Sequence, residues 1–136
     1  MAYLGIDWGQ QHLGLAVGYE NGLVCPLTTI SFHSFNQIRR ELEKIISAYA
    51  IEIFFLGRPS QLSRPQQEKL EQFARWLKKQ FNYPLYWVNE DFTSAAARDK
   101  LAASGVSPRE KKAEHALAAK FILEEGLEQL KNEISQ

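Results

Sequence analysis

Cysteine is nearly absent from the sequence: Cys25 is the single cysteine among 136 residues, so no internal disulfide can form. The three histidines are not clustered, which excludes a zinc site built from cysteine and histidine. No uninterrupted apolar run exceeds four residues, whereas a membrane-spanning helix needs about 20. The first residues also lack the basic and apolar regions of a signal peptide. We therefore expect a cytoplasmic protein with no membrane partner.

Excess charge is absent as well, because 16 Lys and Arg balance 16 Asp and Glu. This balance argues against indiscriminate nucleic-acid binding, which relies on many basic side chains facing phosphates. Local basic patches remain, since residues 98–112 carry five basic and two acidic side chains. A solvated surface is the alternative interpretation of that patch. The candidate nucleic-acid-binding residues are Arg58, Arg98, Arg109, Lys111 and Lys112.

Periodic apolar residues are present along the whole chain, without a linker or repeat, which indicates one domain over residues 1–136. Strands are predicted at residues 3–8, 12–18, 23–32, 51–57 and 85–88. Asn21 and Gly22 mark a hairpin turn, and Pro26 suits an edge strand because proline cannot donate to the ladder.

Helices are predicted where apolar residues recur every three or four positions. The first is capped by Ser34 and reaches Tyr49, and the second has Pro65 in its first turn and ends near Phe81. A short helix over 93–103 and a long one over 108–133 follow. The fold class is therefore α/β, with a mixed five-stranded sheet in the order 3-2-1-4-5 and helices on both faces.

Two acidic residues follow strands that are expected to be parallel. Asp7 stands in an apolar run, where a carboxylate needs a partner or a metal, and Glu90 follows the fifth strand. Because ligands bind at the carboxyl ends of parallel strands, we expect both carboxylates at one edge of the sheet. Converging carboxylates repel one another, and Mg²⁺ or Mn²⁺ relieves that repulsion. A turn or cap role is the alternative for each residue taken alone.

Five segments together resemble the YqgF/RuvX family, a ribonuclease H-like group described as Holliday junction resolvases and as pre-16S rRNA nucleases. These segments are GIDWG at 5–9, LGLAV at 13–17, LGRP at 56–59, VNEDFTS at 88–94 and AAKFILE at 118–124. The resemblance spans nearly the whole chain. It implies a ribonuclease H-like fold and hydrolysis of phosphodiester bonds by carboxylates that hold two divalent ions.

Carried over by position, the resemblance implies that Asp7 and Glu90 are catalytic metal ligands. In the last helix, His115 stands where family members usually have an aspartate, with Glu114 beside it. His115 is therefore a candidate catalytic residue and, with Glu114, a candidate ligand, although a half-buried structural histidine is the alternative for His115. Imidazole suits Mn²⁺ better than Mg²⁺.

The departures from the family pattern leave a second hypothesis open. Gln11 and His12 replace a basic pair that is typical of the family, and Asn89 replaces an aspartate. The first hypothesis is a nuclease that acts on precursor rRNA in 16S 5′-end maturation, or on Holliday junctions. The second is a nucleic-acid-binding or regulatory module with weakened catalysis. An actin-like ATPase is disfavoured because this chain has no second phosphate-binding turn. A monomer or a homodimer fits either hypothesis.

Overall fold

The computed structural model describes residues 1–9, 11–89 and 108–135, and within the last range it describes side chains from 114 to 132. The strands are β1 (Ala2–Trp8), β2 (His12–Tyr19), β3 (Val24–Ser31), β4 (Ile51–Arg58) and β5 (Leu85–Asn89). The helices are α1 (Phe35–Tyr49), α2 (Arg64–Phe81) and α3 (Pro108–Ser135). The predicted short helix over 93–103 lies outside the described residues.

The five strands form one sheet in the order β3-β2-β1-β4-β5. β1 pairs antiparallel with β2 and parallel with β4, and β4 pairs parallel with β5. The predicted strand order and directions are therefore confirmed. Pro26 lies on the edge strand β3, as its missing N–H predicts. The pairing register between β2 and β3 shifts at this proline, between Leu15 and Ala16 of β2.

Side chains that alternate along the strands divide the core into two layers. One layer contains Leu4, Ile6 and Leu56 and is covered by α1 and α2, whose buried residues include Leu42 and Phe73. The other layer lies under α3. It contains Ala16, Phe55, Val88, Ala119, Ile122 and Leu123. Helices thus cover both faces of the sheet, as the sequence predicts. The odd-numbered residues of β1 between Tyr3 and Asp7 point toward α3.

The first turns of α1 and α2 are capped in different ways. Ser34 occupies the N-cap position of α1, yet its side chain makes no capping hydrogen bond, and the His33 N–H instead donates to Gln37 Oε1 at 2.6 Å. At α2, the Ser63 hydroxyl accepts from the Gln66 N–H at 3.3 Å, and Gln66 Oε1 accepts from the Ser63 N–H at 3.0 Å. This capping box fixes the loop between β4 and α2. In the described part of the chain, no helix has the length and apolar composition needed to cross a membrane.

Candidate active site

Asp7 lies one residue before the end of β1 and faces α3. Its exposed fraction is 0%, and it is the one charged side chain that is buried among the residues the structure describes. Burying a carboxylate is costly unless charged or hydrogen-bonding groups compensate it. The residues around Asp7 therefore have to supply such groups, and this end of β1 is the candidate functional site.

His115, on the second turn of α3, supplies one of those groups. Its Nδ1 lies 3.2 Å from Asp7 Oδ2, and its side chain is 24% exposed. An ionised Asp7 carboxylate can only accept, and this hydrogen bond then requires that His115 carry a proton on Nδ1. The imidazole therefore stands between the buried carboxylate and the solvent. Sequence analysis singled out both residues, but 108 positions separate them along the chain, and their contact comes from the fold.

Gly14 makes this contact possible, and sequence analysis missed its role. It pairs with Asp7 across the β1–β2 ladder, and a Cβ built on it would overlap the His115 carbonyl group and come within 2.9 Å of the His115 Cβ. Gly5 allows the same close approach one turn further along α3, since its Cβ would lie 2.7 Å from both the Ala119 oxygen and the Leu123 Cβ. Glycine inside a strand is the signal that could have revealed this close approach of a helix.

His12, at the start of β2, extends the site beside His115. The two imidazole rings lie 5.5 Å apart between centroids at an angle of 32°, and His12 Nδ1 is 3.1 Å from Ser31 Oγ. The Gly9 N–H donates to the His12 carbonyl oxygen at 2.8 Å and closes the turn between β1 and β2. Sequence analysis treated His12 as the loss of a basic residue, whereas the structure places it in contact with the candidate catalytic imidazole.

Trp8 and Arg58 face the other side of the sheet. Trp8 stacks on Phe73 with ring centroids 4.3 Å apart, so it packs under α2. The Arg58 guanidinium carbon lies 4.1 Å from the centroid of the Trp87 ring, and Trp87 packs against the α1 and α2 layer. Asp7 and Arg58 therefore lie at the same edge of the sheet but on opposite faces.

The remaining predicted site residues are only partly described. Glu114 is half-buried on the same turn of α3 as His115. Glu90 and Arg98 lie outside the described residues. The backbone of residues 109–112 belongs to the first turns of α3, but the side chains there are not described. The roles of Arg109, Lys111 and Lys112 stay predictions.

The Asp7–His115 pair has the donor spacing of a divalent metal site. Two ligands at adjacent corners of an octahedron, each about 2.1 Å from the ion, lie about 3 Å apart, close to the observed 3.2 Å. A carboxylate oxygen and an imidazole nitrogen are both ligands that Mn²⁺ accepts. Within the described ranges, no group of three His, Cys, Asp or Glu side chains could hold one ion. The described residues thus fit one part of a metal site.

Comparison with solved structures bears on the fold. RuvC of T. thermophilus, solved with a Holliday junction substrate, superposes with a TM-score of 0.60 at 17% identity, covering 90% of this chain and 92% of that one. The fowlpox virus resolvase superposes with a TM-score of 0.57 at 13% identity, covering 97% and 98%. The expected ribonuclease H-like fold is confirmed.

Comparison of sequences bears on the family. A protein of Methylobacillus flagellatus named "Putative pre-16S rRNA nuclease" is 32% identical over 126 residues, which cover 89% of this chain and 86% of that protein. A protein of the same name from Legionella pneumophila is 32% identical over 134 residues, covering 93% and 95%. The family model described as "RuvX: Holliday junction resolvase" matches residues 1–129. The chain belongs to the RuvX family.

Proposed function

We propose that the protein is a nuclease that hydrolyses phosphodiester bonds of structured nucleic acid with the help of a divalent metal ion. The observation that carries this proposal is the fully buried Asp7 at the carboxyl end of β1, with the His115 nitrogen 3.2 Å from its oxygen. Buried charges with a specific partner at the end of a strand are typical of functional sites. Membership of the RuvX family supports the same reaction.

Asp7 and His115 would hold Mg²⁺ or Mn²⁺ from β1 and α3, and Glu90 and Glu114 are the further ligands that the sequence predicts. A bound ion of this kind activates water and stabilises the leaving oxygen. Asp7 contributes the negative charge, and burial keeps water from competing for its oxygens. His115 would supply Nδ1 as a nitrogen donor once the metal ion replaces the hydrogen bond to Asp7.

The proposed substrates are suggested by the names of the relatives. These names favour precursor 16S rRNA, and the family description favours Holliday junctions. For an rRNA substrate we propose cleavage at the 5′ end during ribosome biogenesis, as the resemblance implies. The basic side chains of Arg58, Arg98, Arg109, Lys111 and Lys112 would contact the nucleic acid. Such an rRNA substrate agrees with the predicted cytoplasmic location.

A second candidate function is a nucleic-acid-binding module with weakened catalysis. The direct contact between His115 Nδ1 and Asp7 Oδ2 favours it, because a hydrogen bond there uses the atoms that would ligate a metal. The two functions differ in one respect that can be measured. A metal ion has to displace this hydrogen bond in a nuclease, whereas a binding module keeps it.

The test is cleavage of labelled precursor rRNA and of a four-way DNA junction, with Mg²⁺ or Mn²⁺, by the wild type, Asp7→Asn, Glu90→Gln and the control Glu43→Gln. Glu43 is exposed on α1, away from the site. We expect loss of cleavage in Asp7→Asn and Glu90→Gln alone. No cleavage by the wild type with either metal would favour the binding module, and His115→Asp would then be tested for restored cleavage.

Calorimetric titration gives a readout that does not depend on cleavage. We expect the wild type to bind Mn²⁺ more tightly than Mg²⁺, because an imidazole nitrogen is a poor Mg²⁺ ligand. His115→Asp should reduce this preference for Mn²⁺, because a carboxylate accepts both ions. His33→Asn is the matched control, since His33 is exposed before α1, and it should leave both affinities unchanged. Equal preferences in the wild type and His115→Asp would remove His115 from the ligand set.

A further inference from the structure

Arg58 lies over the ring of Trp87 near the carboxyl ends of β4 and β5. The guanidinium carbon lies 4.1 Å from the ring centroid, within the range of a cation–π interaction. Trp87 is half-buried and fixed in the α1 and α2 layer, whereas Arg58 is exposed. The ring therefore lies on one side of the guanidinium group, and the exposed Arg58 side chain stays accessible from the solvent.

A groove starts at Arg58 and runs along the carboxyl ends of the strands. Its first part, about 280 Å³, is lined by residues that include Arg58, Leu62, Gln67, Glu71 and Asn89. The second part, about 120 Å³, is also lined by Leu62, and its other lining residues include Trp8, Gly9 and Lys69. The groove therefore leads from β5 over β4 to the turn that follows Asp7.

The chemistry of the groove suits a nucleobase better than a phosphate. The exposed guanidinium plane of Arg58 offers a stacking surface, and bases of single-stranded RNA stack on such planes. Beside it, Glu71 and the amides of Gln67 and Asn89 provide acceptors and donors for the edge of a base. The carboxylate of Glu71 would repel a phosphate placed in the same space.

We propose that this groove binds an unpaired strand of the nucleic-acid substrate, with one base stacked on the guanidinium plane of Arg58 opposite Trp87. This inference rests on the proposed nuclease function and adds single-stranded character to its substrate. The groove passes Gly9, and a Cβ on Gly9 would lie 3.5 Å from the His115 Cε1. A strand in the groove is therefore led to the site of Asp7 and His115 around the edge of the sheet.

The test measures binding in EDTA, where a metal-dependent cleavage cannot interfere. Fluorescence anisotropy would follow a labelled single strand of about 12 nucleotides, as RNA and as DNA, and the matching duplexes. The proteins are the wild type, Arg58→Lys, Arg58→Ala and the control Arg64→Lys. Arg64 is 91% exposed at the start of α2 and pairs with Glu68, so its variant tests loss of a guanidinium outside the groove.

We expect Arg58→Lys to weaken binding of a single strand by about tenfold, because lysine keeps the charge and loses the planar stacking surface, and Arg58→Ala, which also loses the charge, to weaken it at least as much. Arg64→Lys should bind as the wild type does, and Arg58→Lys should leave duplex binding unchanged.

Three results would overturn the inference: wild-type affinity in Arg58→Lys, equal weakening for single strands and duplexes, or no binding of a single strand by the wild type. The first two would reduce Arg58 to a point charge for phosphates. Failure of the nuclease proposal is distinguishable, because it appears as loss of cleavage while the Arg58 dependence in EDTA persists. Cleavage without that dependence would leave the nuclease proposal standing and reject the groove.

Discussion

Replacing Gly14 by alanine should separate α3 from the sheet at the candidate active site. The added Cβ would overlap the carbonyl group of His115 and stand 2.9 Å from the His115 Cβ, where ordinary contacts begin at 3.4 Å. The obstacle is helix backbone, which cannot rotate away as a flexible side chain can. The helix or the strand must therefore shift by about 1 Å.

The magnitude of the effect follows from that shift. Overpacking a close-packed core costs about 1–3 kcal/mol, and occasionally more, and a clash with backbone belongs at the upper end. We therefore expect Gly14→Ala to lower the free energy of unfolding by about 3 kcal/mol. The same shift would take the Asp7–His115 pair from 3.2 Å to beyond hydrogen-bonding distance. Stability and metal affinity should fall together.

Gly18→Ala is the matched control for this substitution. Gly18 lies on the same strand and also faces α3, but its Cβ would meet only side-chain atoms there: the Leu123 Cδ2 at 3.0 Å and Cγ at 3.3 Å, and the Leu127 Cδ1 at 3.4 Å. We expect Gly18→Ala to change stability by less than about 1 kcal/mol. Urea denaturation and calorimetric titration with Mn²⁺ would compare the two variants. Equal stability of Gly14→Ala and Gly18→Ala would refute the close approach of α3.

Three further predictions concern other parts of the fold. Ser63→Ala removes the capping box of α2 and should lower stability by about 1 kcal/mol in urea denaturation. Ala50→Gly should raise stability by roughly 0.5–1 kcal/mol in the same assay. Ala50 is the C-cap residue after α1 and has a left-handed φ of 55°, which strains alanine and not glycine. Burial, followed by the charges of Glu20 and Glu52, raises the pKa of Tyr3 above 10.0. The neutral Tyr3 phenol therefore contributes its full stabilisation below about pH 10, and this stabilisation is lost as the pH rises through the pKa of the folded state. Glu20→Gln should lower the pKa of Tyr3 in a phenolate absorbance titration.

The order of the elements could be predicted from the sequence because it depends on local patterns. Alternation and three- or four-residue spacing depend on neighbouring side chains, and they predicted β1 to β5 and the helices α1, α2 and α3 within one or two residues. The motif at 5–9, read with the later segments, also indicated the family. Ser34 shows the limit of a local rule, since it holds the N-cap position of α1 without making the capping bond.

Asp7 and His115 were candidates from the sequence, but their contact depends on the crossing of α3 over β1 and β2. That crossing is set by packing between backbones, which Gly14 and Gly5 permit. Glycines within the strands indicate that a backbone can approach closely, but they do not say which part of α3 does so. The face on which Arg58 lies was decided in the same way, by the register of β4 on β1 and its stacking on Trp87. The sequence by itself determined the chemical groups and the elements that carry them. Only the tertiary structure decided which groups meet, because contacts between residues distant in the chain are selected by the packing of whole helices on the sheet.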